Sequence, residues 1–286
     1  MPDLLLRFGP GLEVGLLDQP ETVLDAVRRQ FRHQVVGGEA LVARFPVERR
    51  ERTGFGHTEP VLVEGPVQVR RAGPVTLFEA PGASAVCDSE HGIASIAVTE
   101  QTPALDTFVR VALGSIVLEM ALADGWLGLH AAAVAADGRG VLLPGVSGSG
   151  KTTLFCSAHR AGLDVLSDDI VWAREDAGRF ELRPFRRGVV EQPVPAPTLE
   201  QVPLTAIVCP TIVPGRPSRL QPLATREALE VLLAAAGFLA WGSAAARRFQ
   251  AVVRLSAAVP AWRLLAGPGR DRGPDLLRLA AASAAR

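Results

Sequence analysis

Hydrophobic and polar positions follow two different rhythms along this chain. Over the first hundred residues the apolar positions come in short runs rich in Val and Leu, each broken by Gly or Pro: LLLRF, ALVARFPV, PVLVEG, VQVRRAG, VTLFEA and IASIAVTE. Runs of this kind predict strands. One interval, ETVLDAVRRQF at 21–31, has helical spacing instead. The rhythm changes at Thr102-Pro103. Residues 104–125 repeat their apolar positions with helical period, and Pro103 suits a first turn. Two apolar runs come next, LHAAAVA (129–135) and GVLLPG (140–145), joined by Asp137-Gly138. An Asp-Gly pair between such runs predicts a tight hairpin. Beyond it the pattern predicts a helix over 151–161 and strand material in DVLSDD and IVWARED. Strands at 179–184, 204–213 and 261–266 and helices at 225–238, 241–253 and 274–284 complete the reading. A Pro-rich passage at 192–203 reads as a loop. The expected organisation is a β-rich N-terminal domain over 1–102 and an α/β domain over 103–286.

Composition narrows the function. The 286 residues carry 30 basic and 30 acidic side chains, so no global field draws in nucleic acid or anionic lipid. The three cysteines, Cys87, Cys156 and Cys209, are odd in number and lack CxxC spacing. Neither a disulfide frame nor a zinc site is expected. The N-terminus lacks the basic-then-apolar order of a signal peptide, and the apolar stretch at 108–126 is interrupted by Arg110, Glu119 and Asp124. No membrane association is expected, and the expected location is the cytoplasm. A homo-oligomer is compatible with the Ala-rich stretch 227–247, which reads as core or as a subunit contact.

Lysine is nearly absent. Lys151 is the single lysine, and every other basic residue among the thirty is arginine. It stands in GVSGSGKT at 145–152, a full match to G-x4-G-K-[ST]. An apolar strand precedes the match and an apolar-faced helix comes after it. Glycines at 145, 148 and 150 let successive N–H groups turn toward phosphate oxygens, and the helix N-terminus adds partial positive charge. The expected nucleotide-binding residues are Gly145, Ser147, Gly148, Ser149, Gly150, Lys151, Thr152 and Thr153. Lys151 would bridge the outer phosphates of a nucleotide and Thr152 would ligate Mg²⁺. A compact ammonium fits a tight loop where a fanned guanidinium does not, which explains why arginine did not take this position.

Two further features point to the same place. With Asp137-Gly138 at the centre of the turn, paired residues have numbers summing to 275, so His130 falls opposite Gly145. VLSDD (165–169) is an apolar strand ending in paired acids, Asp168 and Asp169. A strand returning from the loop's helix delivers its C-terminal end to the ligand edge of the sheet. One carboxylate could then hold Mg²⁺ and the other serve as base toward a hydroxyl. Arg183, Arg186 and Arg187 in LRPFRRG could contact a phosphate or an acidic substrate, or pack their stems at a strand end. The remaining histidines, His33, His57, His91 and His159, read as surface residues.

His130, the GVSGSGKT loop and Ser167-Asp168-Asp169, in this order, resemble the C-terminal catalytic domain of the HPr kinase/phosphorylase family. They resemble ATP-dependent phosphoenolpyruvate carboxykinase more distantly. The likeness looks closest to HPr-kinase-related serine kinases, some of which accompany peptide biosynthesis clusters such as those for lasso peptides. It spans roughly 127–215 and leaves 1–100 unexplained. It implies an α/β fold with a P-loop-containing core and a smaller β-rich N-terminal domain. It also implies ATP and Mg²⁺ as cofactors and transfer of the γ-phosphoryl group to a serine of a peptide or protein. By the same resemblance Asp168 is the base, His130 assists at the phosphoryl or metal site, Lys151 holds phosphates, and Thr152 and Asp169 bind Mg²⁺. The glycine-rich segment that HPr kinases carry after the acidic pair is replaced by LRPFRRGVVEQP. Neither HPr as acceptor nor reverse phosphorolysis is therefore expected. A small-molecule kinase of the same fold, or an ATP-sensing module without catalysis, are the competing expectations.

Overall fold

The computed structural model describes residues 4–9, 12–16, 21–30, 60, 62–89, 93–98, 102–185, 195–236, 242–267 and 272–283. The run ALVARFPV, three of the histidines (His33, His57, His91) and Arg186 and Arg187 lie outside them. The protein is a mixed α/β fold of two compact units, with their main boundary at Asp124/Gly125.

The first unit opens with a hairpin of β1 (Leu4–Gly9) and β2 (Leu12–Leu16), then α1 (Glu21–Gln30). Five antiparallel strands then meander in chain order: β3 (Leu62–Glu64), β4 (Val67–Ala72), β5 (Val75–Ala80), β6 (Ala83–Asp88) and β7 (Ile93–Val98). Alternation in β4 sends Val67 and Val69 inward and Gln68 outward. Helix α2 (Leu105–Ala123) packs Phe108, Val111, Ala112 and Ile116 onto that inner face, against Phe78, Ala85 and Cys87. The change of rhythm at Pro103 groups this helix with the α/β half of the chain, whereas its apolar face is used on the sheet that precedes it. Glu119 of α2 is ion-paired with Arg71 of β4, both side chains being buried.

The second unit holds β8 (Leu127–Ala136), β9 (Arg139–Pro144), α3 (Lys151–Arg160), β10 (Asp164–Ser167), β11 (Ile170–Asp176) and β12 (Arg179–Phe185). After these come β13 (Val202–Ile212), β14 (Arg219–Pro222), α4 (Thr225–Ala235), α5 (Gly242–Ala258), whose residues to Ala246 group with the first unit, β15 (Ala261–Ala266) and α6 (Gly273–Ser283). The β8–β9 turn has Asp137 at φ 51° and Gly138 at φ 71°, the left-handed pair that a two-residue hairpin requires. Its register obeys the turn, with Ala136 opposite Arg139 and Ala131 opposite Pro144. Parallel pairings β9–β13 and β13–β15 extend the sheet. On the other edge of β8 lie β10 and β11, and β11–β12 returns to the start of β13. The pairings therefore close a circuit β8–β11–β12–β13–β9 within one eight-stranded sheet. Leu154, Phe155 and Ala158 of α3 and Leu277, Ala280 and Ala281 of α6 join Val134, Val141, Leu143, Val165 and Val208 in one core.

The circuit closes at Gly140. A Cβ there would lie 2.8 Å from Val202 Cγ1 and 2.9 Å from the Pro203 carbonyl oxygen. Gly140→Val is expected to destabilise the fold by about 1–3 kcal/mol, the usual cost of overpacking. Urea denaturation checks this, with the midpoint falling and the slope unchanged.

Candidate functional site

The loop between β9 and α3 is shaped by its glycines. Gly150 caps α3 at φ 100°, a backbone state closed to most side chains. At Gly145 a Cβ would land 2.7 Å from Ser149 Oγ, so a methyl group cannot be added without displacing the Ser149 side chain. No side chain caps the N-terminus of α3, and its first N–H groups are left for another acceptor. The Ser149 hydroxyl is buried and has no hydrogen-bond partner.

Lys151 occupies the first position of α3 and is only 6% exposed. Its Nζ donates to the carbonyl oxygens of Gly145 at 2.5 Å and Val146 at 3.0 Å. The ammonium is thus curled into the loop that leads to it. Burial pushes its pKa below the ordinary lysine value, and the Asp169 carboxylate pulls in the opposite sense. Thr152 is half-buried in the same turn, whereas Ser147, Gly148 and Thr153 are exposed.

The acidic pair sits elsewhere in its strand than the sequence pattern suggests. Asp168 and Asp169 do not end a strand; they form a two-residue irregularity between β10 and β11, both of which run antiparallel along β8. The register slips between Val165 and Ser167, and Asp169 still accepts a backbone hydrogen bond from Ala131 N–H at 3.0 Å. That places Asp169 beside the preceding residue of β8. His130 Nδ1 lies 3.1 Å from Asp169 Oδ1. The hairpin register stops one pair short of His130, leaving it next to Gly145, and both line one cleft. Asp168 is half-buried, and its carboxyl is held above the ordinary aspartate range. Burial is the main cause and the neighbouring Asp169 charge the second; its own backbone N–H and His130 act against them.

His130, Lys151, Asp168 and Asp169 therefore form one electrostatically coupled cluster beside the glycine loop. Ser167, which the sequence pattern included in its motif without a role, has a buried hydroxyl that accepts from Asp169 N–H at 3.4 Å and donates to the Phe185 carbonyl at 3.5 Å. It tethers the irregularity that carries both acids. A serine inside an apolar strand just before that irregularity was the available signal. Arg183 is committed elsewhere: its guanidinium lies over the Trp126 ring at 5.1 Å and donates to Gln201 at 2.5 Å. Among the described residues, no group of three or more His, Cys, Asp and Glu side chains is arranged to hold a metal ion by itself. No helix among them is long and apolar enough to cross a membrane.

The fold is mixed α/β, with the glycine loop and the His–Lys–Asp cluster together in the second unit. No family model matches the chain, and neither does any curated protein. Among solved structures it is similar to the Hpr(Ser) kinase/phosphatase from Coxiella burnetii, with a TM-score of 0.34 and 14% identity over 53% of this chain and 88% of that one. This is a distant likeness, and no residue role rests on it.

Proposed function

We propose that this protein is an ATP-dependent kinase with a P-loop-type core, which transfers the γ-phosphoryl group to a serine hydroxyl of a peptide or protein. The observation that carries the reading is the cluster itself. A buried lysine, a carboxyl with raised pKa and a His–Asp pair surround one glycine loop. The loop fits a polyphosphate: it has uncapped helix N–H groups, an orphaned Ser149 hydroxyl and no room for a Cβ at Gly145. Thr152 and Asp169 would hold Mg²⁺ with phosphate oxygens completing its shell, since this ion takes few protein carboxylates. The bound ion would neutralise charge on the transferring group.

The chain's own part comes from its geometry. Asp168 accepts the serine proton as the serine oxygen bonds to the γ-phosphorus and the bond from that phosphorus to the ADP oxygen breaks. Its raised pKa makes it a stronger base than an exposed aspartate. His130 orients Asp169 through Nδ1. Lys151 exchanges its two loop carbonyls for phosphate oxygens as the nucleotide enters. Incubation with Mg-ATP and serine peptides, read by mass spectrometry, is expected to show the gain of one phosphate. Tight ATP binding with no transfer to any acceptor would instead identify a nucleotide sensor.

A further inference from the structure

Beside the loop lies a cleft with a volume of about 410 Å³, within the usual range for ligand pockets of roughly 300–1,000 Å³. It is lined by Pro144 at the end of β9 and by Cys209 and Pro210 of β13. Cys209 alternates with Val208 and so faces away from the core shared by α3 and α6. Val231, Ala234 and Ala235 of α4 also line it, as do His130 and, from the glycine loop, Gly145 and Ser149. Val146, at the lip, is 72% exposed despite being apolar.

We infer that this cleft takes an aliphatic side chain adjacent to the acceptor serine, an inference that rests on the kinase reading above. Its charged lining residues, Arg263 and Glu230, keep solvent contact and have ion partners of their own, Glu227 at 2.8 Å and Arg226 at 3.2 Å. Apart from His130 the lining has no aromatic ring to stack a nucleobase, while its aliphatic residues are small or branched. The Cys209 thiol is pushed up to about 12 by burial and behaves as a small apolar surface. Because His130 both lines the cleft and pairs with Asp169, a residue seated there brings the neighbouring hydroxyl to the acidic pair.

The probes are blocked hexapeptides with one serine in a glycine background, carrying Gly, Val, Leu, Phe, Asp or Lys on either side of it. Val or Leu is expected to raise kcat/KM over Gly by about tenfold or more, the worth of one filled apolar pocket. Ala234→Phe, which fills the cleft, is expected to raise peptide KM and the Kd of the same peptide by fluorescence anisotropy by a similar factor. The Kd for ATP should stay within about twofold. Val231→Ala, which widens it, should shift preference from Val toward Phe. Equal use of all flanks, or preference for Asp or Lys, overturns the inference. So does an Ala234→Phe variant that loses ATP rather than peptide, which assigns the cleft to the nucleoside. Phosphorylation of free serine or small alcohols, but of no peptide, overturns it together with the peptide acceptor, and leaves only ATP-dependent transfer to a hydroxyl. A wild-type protein that phosphorylates no hydroxyl defeats both.

Discussion

Replacing Lys151 by arginine or methionine is expected to cut phosphoryl transfer by about 10²–10³-fold, the usual cost of removing one donor from a charge-stabilising site. The arginine variant is the sharper test, because it keeps the charge. The Lys151 ammonium sits between the Gly145 and Val146 carbonyls and is nearly excluded from water. A planar guanidinium is larger and fans its donors apart, so it cannot take the ammonium's place between the two carbonyls without opening the loop. Single-turnover transfer and ATP binding measured on the same preparations give the result. Wild-type rates from Lys151→Arg would remove the shape argument for the lone lysine.

The same residue makes a prediction about stability with the opposite sign. Folding lowers the Lys151 pKa from 10.5, so between the folded value and 10.5 the unfolded chain binds more protons. Stability contributed by this group therefore rises with pH through that window, and below it the charged form costs stability. Lys151→Met should flatten that part of the pH–stability curve without weakening the fold at neutral pH. A lysine kept for packing would behave in the reverse way.

Features that depend on neighbours in the chain were legible in advance. The Asp137-Gly138 turn sets the β8–β9 register by itself, and that register carries His130 to the loop. The glycine pattern likewise contains its own geometry at Gly145 and Gly150. The misplaced features depend on distant partners. Whether Asp168-Asp169 ends a strand or interrupts one is decided by β8, which pairs with residues on both sides of them. Helix α2 is apolar on most of its surface, so its sequence does not say which sheet it joins. Strand β6 is built of Ala, Ser, Val, Cys and Asp, and β14 of RLQP; neither has the branched run that marks a strand, and both are held by their neighbours. The α4 wall of the cleft was invisible for the same reason: helical spacing shows which residues share a face, not what that face meets.

Asp168→Asn is expected to reduce kcat by about 10²–10⁴-fold, the range for losing a general base, with ATP affinity retained. In the metal-free protein the Asp168 carboxyl, followed by NMR titration, should lie above the ordinary aspartate range, because burial and Asp169 both disfavour its carboxylate. Asp169→Asn should lower that titration and His130→Ala, which removes an opposing influence, should raise it. A group outside this cluster would not shift in opposite directions. Stability supplies the independent check. The folded pKa is raised above 3.8, so between those values the folded chain holds the extra proton and stability falls as pH rises. At neutral pH the ionised Asp168 costs the fold stability, and Asp168→Asn should leave the melting temperature equal or higher while transfer collapses. An asparagine variant that melts early and keeps its rate would make Asp168 a structural residue and withdraw the base from this site.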